Sequence, residues 1–81
     1  MKLDVKLFAR AKEIAGSDCV RLELPESARV ADVRSALADR FPEMAGLIPS
    51  LLIAVGTDYA DDSMPLGDAS EVACFPPVSG G

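Results

Sequence analysis

Lys2 to Phe8 alternates, with Leu3, Val5 and Leu7 on one side and Lys2, Asp4 and Lys6 on the other. A two-residue period is that of a half-buried strand. Phe8 falls on the polar side, where it either closes the strand or stands exposed for a partner. Ala9 to Ala15 is rich in helix formers and Gly16 supplies a left-handed stop, which predicts one or two helical turns. Cys19 to Leu24 alternates again, with Val20, Leu22 and Leu24 against Cys19, Arg21 and Glu23. The short polar link Gly16-Ser17-Asp18 predicts a hairpin with the first strand.

After the break at Pro25 to Ser27 the period becomes helical. Val30, Val33, Ala36, Leu37 and Phe41 share one face, while Asp32, Arg34, Ser35, Asp39 and Arg40 lie away from it, and Pro42 ends the run. Arg29 occupies the expected N-cap, where it caps poorly; Asp32 in the first turn offsets this in part through the helix dipole. Pro49 precedes a third strand, Leu51 to Val55, whose unbroken aliphatic character predicts a central strand buried on both faces. Gly56-Thr57-Asp58 reads as a turn, Tyr59-Ala60 as a short return strand, and Asp61 to Pro65 as an exposed polar loop. Leu66-Gly67-Asp68 reads as a tight turn with an apolar anchor. The last strand, Glu71 to Phe75, sends Val72 and Cys74 to one face and Glu71, Ala73 and Phe75 to the other.

One amphipathic helix and a sheet with one apolar face pack most simply with the helix laid across that face. The expectation is an α+β fold of the ubiquitin-like β-grasp plan, a mixed sheet of about five strands with one main helix. The connection from the second strand through the helix to the third suits a right-handed crossover. Residues 1–75 are expected to form this domain and residues 76–81 a flexible functional tail ending Gly-Gly.

Eighty-one residues allow one small domain, and 49% hydrophobic with 26% charged residues suits a globular chain rather than a disordered one. A net charge of -5 argues against nucleic acid, whose phosphates are met by Lys and Arg, and is compatible with a basic protein partner. Cys19 and Cys74 lie within alternating runs, without CxxC spacing, and read as two reduced, largely buried structural thiols in a cytoplasmic protein. The N-terminal residues lack the apolar core of a signal peptide, and Leu51 to Val55 is too short to span a bilayer. No membrane or metal partner is expected.

There is no His, so a Ser-His or Cys-His nucleophilic pair is excluded. Gly56 and Gly67 are isolated turn glycines, not a phosphate-binding loop. Asp58, Asp61, Asp62 and Asp68 cluster in loops without EF-hand spacing, and a solvated face explains them better than a cation site. The tail remains. Pro76 and Pro77 stiffen the exit from the last strand, and Val78-Ser79-Gly80-Gly81 closes the sequence without a bulky side chain at its tip. Two glycines can thread a narrow tunnel and bring the Gly81 carboxylate against another protein's active site. A frayed terminus would also show Gly-Gly. The Pro-Pro lead and the element order favour a working tail, with acyl adenylation by ATP as the route to activation.

Val5-Lys6-Leu7-Phe8-Ala9, followed by Lys12-Glu13-Ile14-Ala15-Gly16, resembles the opening of the molybdopterin synthase small subunits, the MoaD family within the MoaD/ThiS superfamily. The run Glu71-Val72-Ala73-Cys74-Phe75-Pro76-Pro77-Val78-Ser79-Gly80-Gly81 is similar to that family's ending. The resemblance spans the chain, and Phe-Pro-Pro-Val-x-Gly-Gly is its specific part. It implies a sulfur carrier that is not catalytic alone but is the sulfur-donating subunit of a sulfurtransferase complex. An E1-like adenylyltransferase (MoaB/MoeB-like) would use ATP to activate Gly81, a sulfur donor would form the thiocarboxylate, and no cofactor would be bound by this chain. The tail, Pro76 to Gly80, would thread into a large subunit (MoaE-like) and deliver sulfur to cyclic pyranopterin monophosphate for the molybdenum cofactor, in a heterotetramer. By the same resemblance Phe8, Lys12, Tyr59 and Phe75 would form the partner surface; alternatively Phe8 and Phe75 simply cover one another on the open sheet face. Gly56 and Arg29 stand where the family commonly has Asn and a Thr or Ser cap, which bears on local stability and not on the tail. The alternatives are a ubiquitin-like modifier, a carrier for thiazole synthesis or tRNA thiolation, and an interaction module without tail chemistry.

Overall fold

The computed structural model describes residues 1–77. Lys2–Leu7 forms β1 and Cys19–Glu23 forms β2, an antiparallel hairpin with Lys2 opposite Glu23 and Lys6 opposite Cys19. Between them α1, Ala9–Ala15, ends at Gly16, whose left-handed φ of 73° lets its N–H reach the Lys12 carbonyl. The main helix, α2, covers Val30–Arg40. Then come β3 (Leu52–Val55), β4 (Asp58–Ala60) and β5 (Glu71–Phe75). The sheet order is β2-β1-β5-β3-β4, with β1 and β5 parallel and the other neighbours antiparallel. The mixed five-stranded sheet with one main helix is therefore as expected, and the chain between β2 and β3 crosses the sheet past β1 and β5.

Register explains the core. Val20, Val5, Val72 and Val55 lie in one row across four strands, and Leu7, Cys74 and Ile53 in the next. Val30, Val33 and Leu37 of α2, all fully buried, belong to the same core cluster, with Ala28, Leu51 and Leu66. Each such aliphatic side chain contributes about 1.5–3 kcal/mol on leaving water.

Two expectations need correction, and one segment had none. Strand β3 begins at Leu52 and is not buried on both faces: Ile53 is 1% exposed but Leu52 is 36% exposed. An aliphatic run does not say which face is covered, and here α2 covers only one. Cys19 is exposed while Cys74 is buried, so the pairing of Cys19 with Arg21 and Glu23 in the alternation outweighs the usual preference of Cys for the interior. Two short 3-10 turns, Pro42–Met44 and Ile48–Ser50, fill a segment with no legible period and bury Met44 and Ile48. A proline in the first turn of each was the available sign.

The start of α2 shows how a poor cap is tolerated. An Arg side chain has only donors and cannot accept from the helix amides. Instead, the Arg29 N–H donates to Asp32 Oδ2 at 2.7 Å, the Val30 N–H to the Met64 carbonyl at 3.0 Å and the Ala31 N–H to the Asp62 carbonyl at 3.1 Å. The loop after β4 is exposed, as expected, but it works as the cap. Arg29 Nη1 holds it through the Ser63 carbonyl, and the Leu66 N–H donates to the Ala28 carbonyl at 3.1 Å.

Replacing Asp32 by Ala removes a cap acceptor and is expected to cost about 1 kcal/mol in urea unfolding, with an unchanged m value. The thiols should separate as sharply. Burial pushes the Cys74 thiol from 9.0 up to about 11, against a smaller opposing effect of Arg34. Cys19 should react with a thiol reagent in the native protein, and Cys74 only on unfolding. Because the folded pKa is raised, the Cys74 contribution to stability is complete below about pH 9 and fades as pH rises towards about 11. Equal labelling of both thiols in the native state would contradict this core.

Candidate functional site

The face of the sheet away from α2 divides into two halves. Near the start of β5, Arg21 Nε donates to Asp4 Oδ1 at 2.9 Å and Lys6 Nζ lies 3.5 Å from Glu71 Oε1. Solvent-exposed pairs such as these contribute little, about 0–1 kcal/mol each. Towards the end of β5 the face turns apolar.

That apolar half follows from register. The β1–β5 ladder ends at Leu7 opposite Cys74. Phe8 keeps an extended backbone, φ -132° and ψ 156°, so its ring falls beside Phe75. The two rings stack with centroids 4.8 Å apart and 11° between planes. Ala9 then turns the chain into α1 with φ 52°, the one left-handed non-glycine among the described residues. On the other side of β5, Leu52 stands opposite Phe75. Tyr59, opposite Ala54, meets Phe75 edge-on at 6.3 Å and 78°. Aromatic pairs in such geometries add about 0.5–1.5 kcal/mol each beyond burial. The cluster still faces water: Tyr59 is 67% exposed and Phe8 39%.

Phe8, Tyr59 and Phe75 are thus brought together: Phe8 and Phe75 cover each other in part, and an apolar surface is left facing outward. Lys12 lies on α1, exposed, and shares a shallow pocket with Lys6, Phe8, Asp18 and Cys19. Pro76 and Pro77 are exposed directly beyond Phe75. Val78, Ser79, Gly80 and Gly81 lie outside the described residues.

Two residues were missed. Leu52 belongs to the apolar face, and its place next to the buried Ile53 in an alternating strand was the available signal. Arg34, read as part of the solvent face of α2, has a side chain only 18% exposed. Its Nε donates to Asp62 Oδ1 at 2.7 Å and its Nη1 to the Ile48 carbonyl at 2.6 Å. No feature of the helical period marks it.

The loop aspartates are taken up locally. Asp61 Oδ1 accepts from the Ser63 hydroxyl at 2.7 Å and the Ser63 N–H at 3.0 Å, and these bonds hold its carboxyl below the usual range. Asp62 is engaged by Arg34. Among the described residues, no group of three or more His, Cys, Asp or Glu is placed to hold a metal ion, and no helix is long and apolar enough to cross a membrane. The described surface is thus apolar and partly exposed beside Phe75 and the exposed Pro76 and Pro77.

Comparison with known proteins agrees with this arrangement. The ThiS family profile matches residues 5–81. The molybdopterin synthase sulfur carrier subunit of Arabidopsis thaliana is 30% identical over 81 residues, covering 100% of this chain and 84% of the relative. The protein of the same name from Dictyostelium discoideum is 33% identical over 81 residues, covering 95% and 93%. The crystal structure of H. volcanii small archaeal modifier protein 1 superimposes with a TM-score of 0.84 at 28% identity, covering 95% of this chain and 98% of that one. With the β-grasp architecture and the Phe-Pro-Pro lead in place, the chain belongs to the ThiS family of small ubiquitin-like proteins.

Proposed function

We propose that this protein is the sulfur carrier subunit of molybdopterin synthase. One observation carries the reading above others: the likeness to relatives of that name runs over the whole chain, and Pro76-Pro77, which precede the Gly-Gly ending in the sequence, follow β5 directly beside an exposed aromatic face. The chemistry proposed resides in Gly81. Its carboxylate attacks the α-phosphorus of ATP on an E1-like adenylyltransferase, releasing pyrophosphate and leaving an acyl adenylate. A sulfur nucleophile then displaces AMP, and the thiocarboxylate is carried to the large subunit. There the thiocarboxylate sulfur bonds to a carbon of the pterin precursor, and water cleaves the acyl–sulfur bond, leaving the sulfur on the pterin and regenerating the Gly81 carboxylate. ATP is held by the adenylating partner, so this chain needs no cofactor of its own.

The division of labour is physical. A carboxylate at the end of a narrow tail needs another protein to activate it, and the described residues supply contact area rather than acids, bases or metal ligands. Phe8, Leu52, Tyr59 and Phe75 would dock on the large subunit, with Lys12 at the rim and Pro76-Pro77 aiming the tail into its active site. The complete synthase would be a heterotetramer acting in the cytoplasm. A second reading is favoured by the likeness to the small archaeal modifier protein: the same activated Gly81 would be captured by a lysine amine instead of sulfur. Isopeptide adducts in a lysate, with no thiocarboxylate, would support that reading.

In a reconstituted synthase, deleting Gly81 should abolish molybdopterin formation with the urea midpoint unchanged; full activity would contradict the proposal. Phe75→Ala should weaken binding to the large subunit by about 2 kcal/mol in calorimetry. An unchanged affinity would remove Phe75 from the docking face.

A further inference from the structure

Strand β4 is the weakest part of the contact face. It has three residues, lies at the sheet edge and pairs only with β3, through Ile53–Ala60, Ala54–Tyr59 and Val55–Asp58. Yet this β3–β4 hairpin carries Leu52 and Tyr59, half of the apolar cluster. β3 is also paired with β5, but β4 has no second neighbour, and ladder bonds at an edge open readily, so a further anchor on β4 would steady Tyr59.

Arg34 meets both of its ends. Its Nη1 donates to the carbonyl of Ile48, four residues before β3, and its Nε to the carboxylate of Asp62, two residues after β4. The guanidinium fork is planar and rigid, and its own side chain is largely shielded from water. The bond to the Ile48 carbonyl is therefore charge-assisted and partly buried, while the Asp62 carboxylate, 60% exposed, makes the other at the surface. Asp62 is held a second time, its carbonyl accepting the Ala31 N–H at the start of the same helix. The chain entering the hairpin and the chain leaving it are thus tied to one side chain on the helix side of the sheet. Tyr59 and Leu52 project from the opposite side.

We propose that Arg34 is a positioning residue for the docking face: it fixes the β4 side of the hairpin from behind and thereby sets Tyr59 against Phe75, whereas Leu52 is held by its own ladder pairing opposite Phe75. That this face docks a partner rests on the function proposed above; that Arg34 fixes its geometry does not. The position of Tyr59 then depends on a residue that never touches it, and the Phe8–Phe75 stack, built on β1 and β5, does not share that dependence.

The test uses the full chain with Arg34→Gln, which removes the charge, and Arg34→Lys, which keeps it but cannot serve both acceptors. Amide hydrogen exchange in β3 and β4 should accelerate about tenfold relative to β1 and β2 in both variants. Nuclear Overhauser contacts between Tyr59 and Phe75 should weaken, while those between Phe8 and Phe75 stay. Uniform acceleration in all strands, no acceleration, or wild-type behaviour in Arg34→Lys would overturn the proposal. With the large synthase subunit, Arg34→Gln should weaken binding about fivefold and add nothing in a Tyr59→Ala background, whereas a fully additive loss would overturn it. If Tyr59→Ala and Phe75→Ala both left affinity unchanged, the docking reading would fail while the exchange result stood.

Discussion

The contact between α2 and the aligned rows of aliphatic side chains beneath it is the one on which the rest of the molecule depends. Val30, Val33 and Leu37 are wholly removed from water, and the rows Val20–Val5–Val72–Val55 and Leu7–Cys74–Ile53 bury one face of the sheet continuously. A chain of this length buries a limited share of its surface, so it builds one such layer and not two. The second face is therefore left uncovered by the helices of the chain. Period-two alternation places every other residue of the same strands there, and the composition of those positions becomes the surface chemistry of the protein.

On that open face the strand order decides what lies near the tail. Because β5 sits between β1 and β3, its last residue, Phe75, receives Phe8 on one side and Leu52 on the other. The charged pairs fall at the opposite end of the same strands. A carrier whose reactive group must enter another protein needs an adhesive surface close to the point where the tail departs. Parallel pairing of β5 with β1 brings Phe8 beside Phe75. Antiparallel pairing with β3 brings Leu52 and, through β4, Tyr59, which completes the four side chains of the surface proposed for docking. The stacking that covers Phe8 and Phe75 also flattens them, and a flat, rigid apolar surface loses little conformational entropy on docking.

Much of this was legible in the sequence. The alternation in β1, β2 and β5 and the helical period of α2 gave the elements to within a residue, because each has one buried and one open face. Where both faces or neither carried a contrast, reading failed. The aliphatic β3 concealed the exposure of Leu52, and the segment with the 3-10 turns concealed Met44 and Ile48. Cys19 was misjudged because its chemical type was weighed above its place in the alternation. The aromatics were anticipated on one face, with Phe8 and Phe75 covering one another as one of the two readings, but the choice of that contact depends on the parallel β1–β5 register, which no local pattern encodes. Arg34 and the loop that caps α2 were invisible for the same reason: their partners lie in the chain far from the helix.

The working group proposed for this protein is the carboxylate of Gly81. The most direct test is the intact mass of the purified chain before and after incubation with ATP, its adenylating enzyme and a sulfide source, with any change mapped to the C-terminal peptide. The account predicts a gain equal to the exchange of one oxygen for sulfur, confined to Gly81. An unchanged mass, with the adenylating enzyme shown to be active on another carrier, would contradict it.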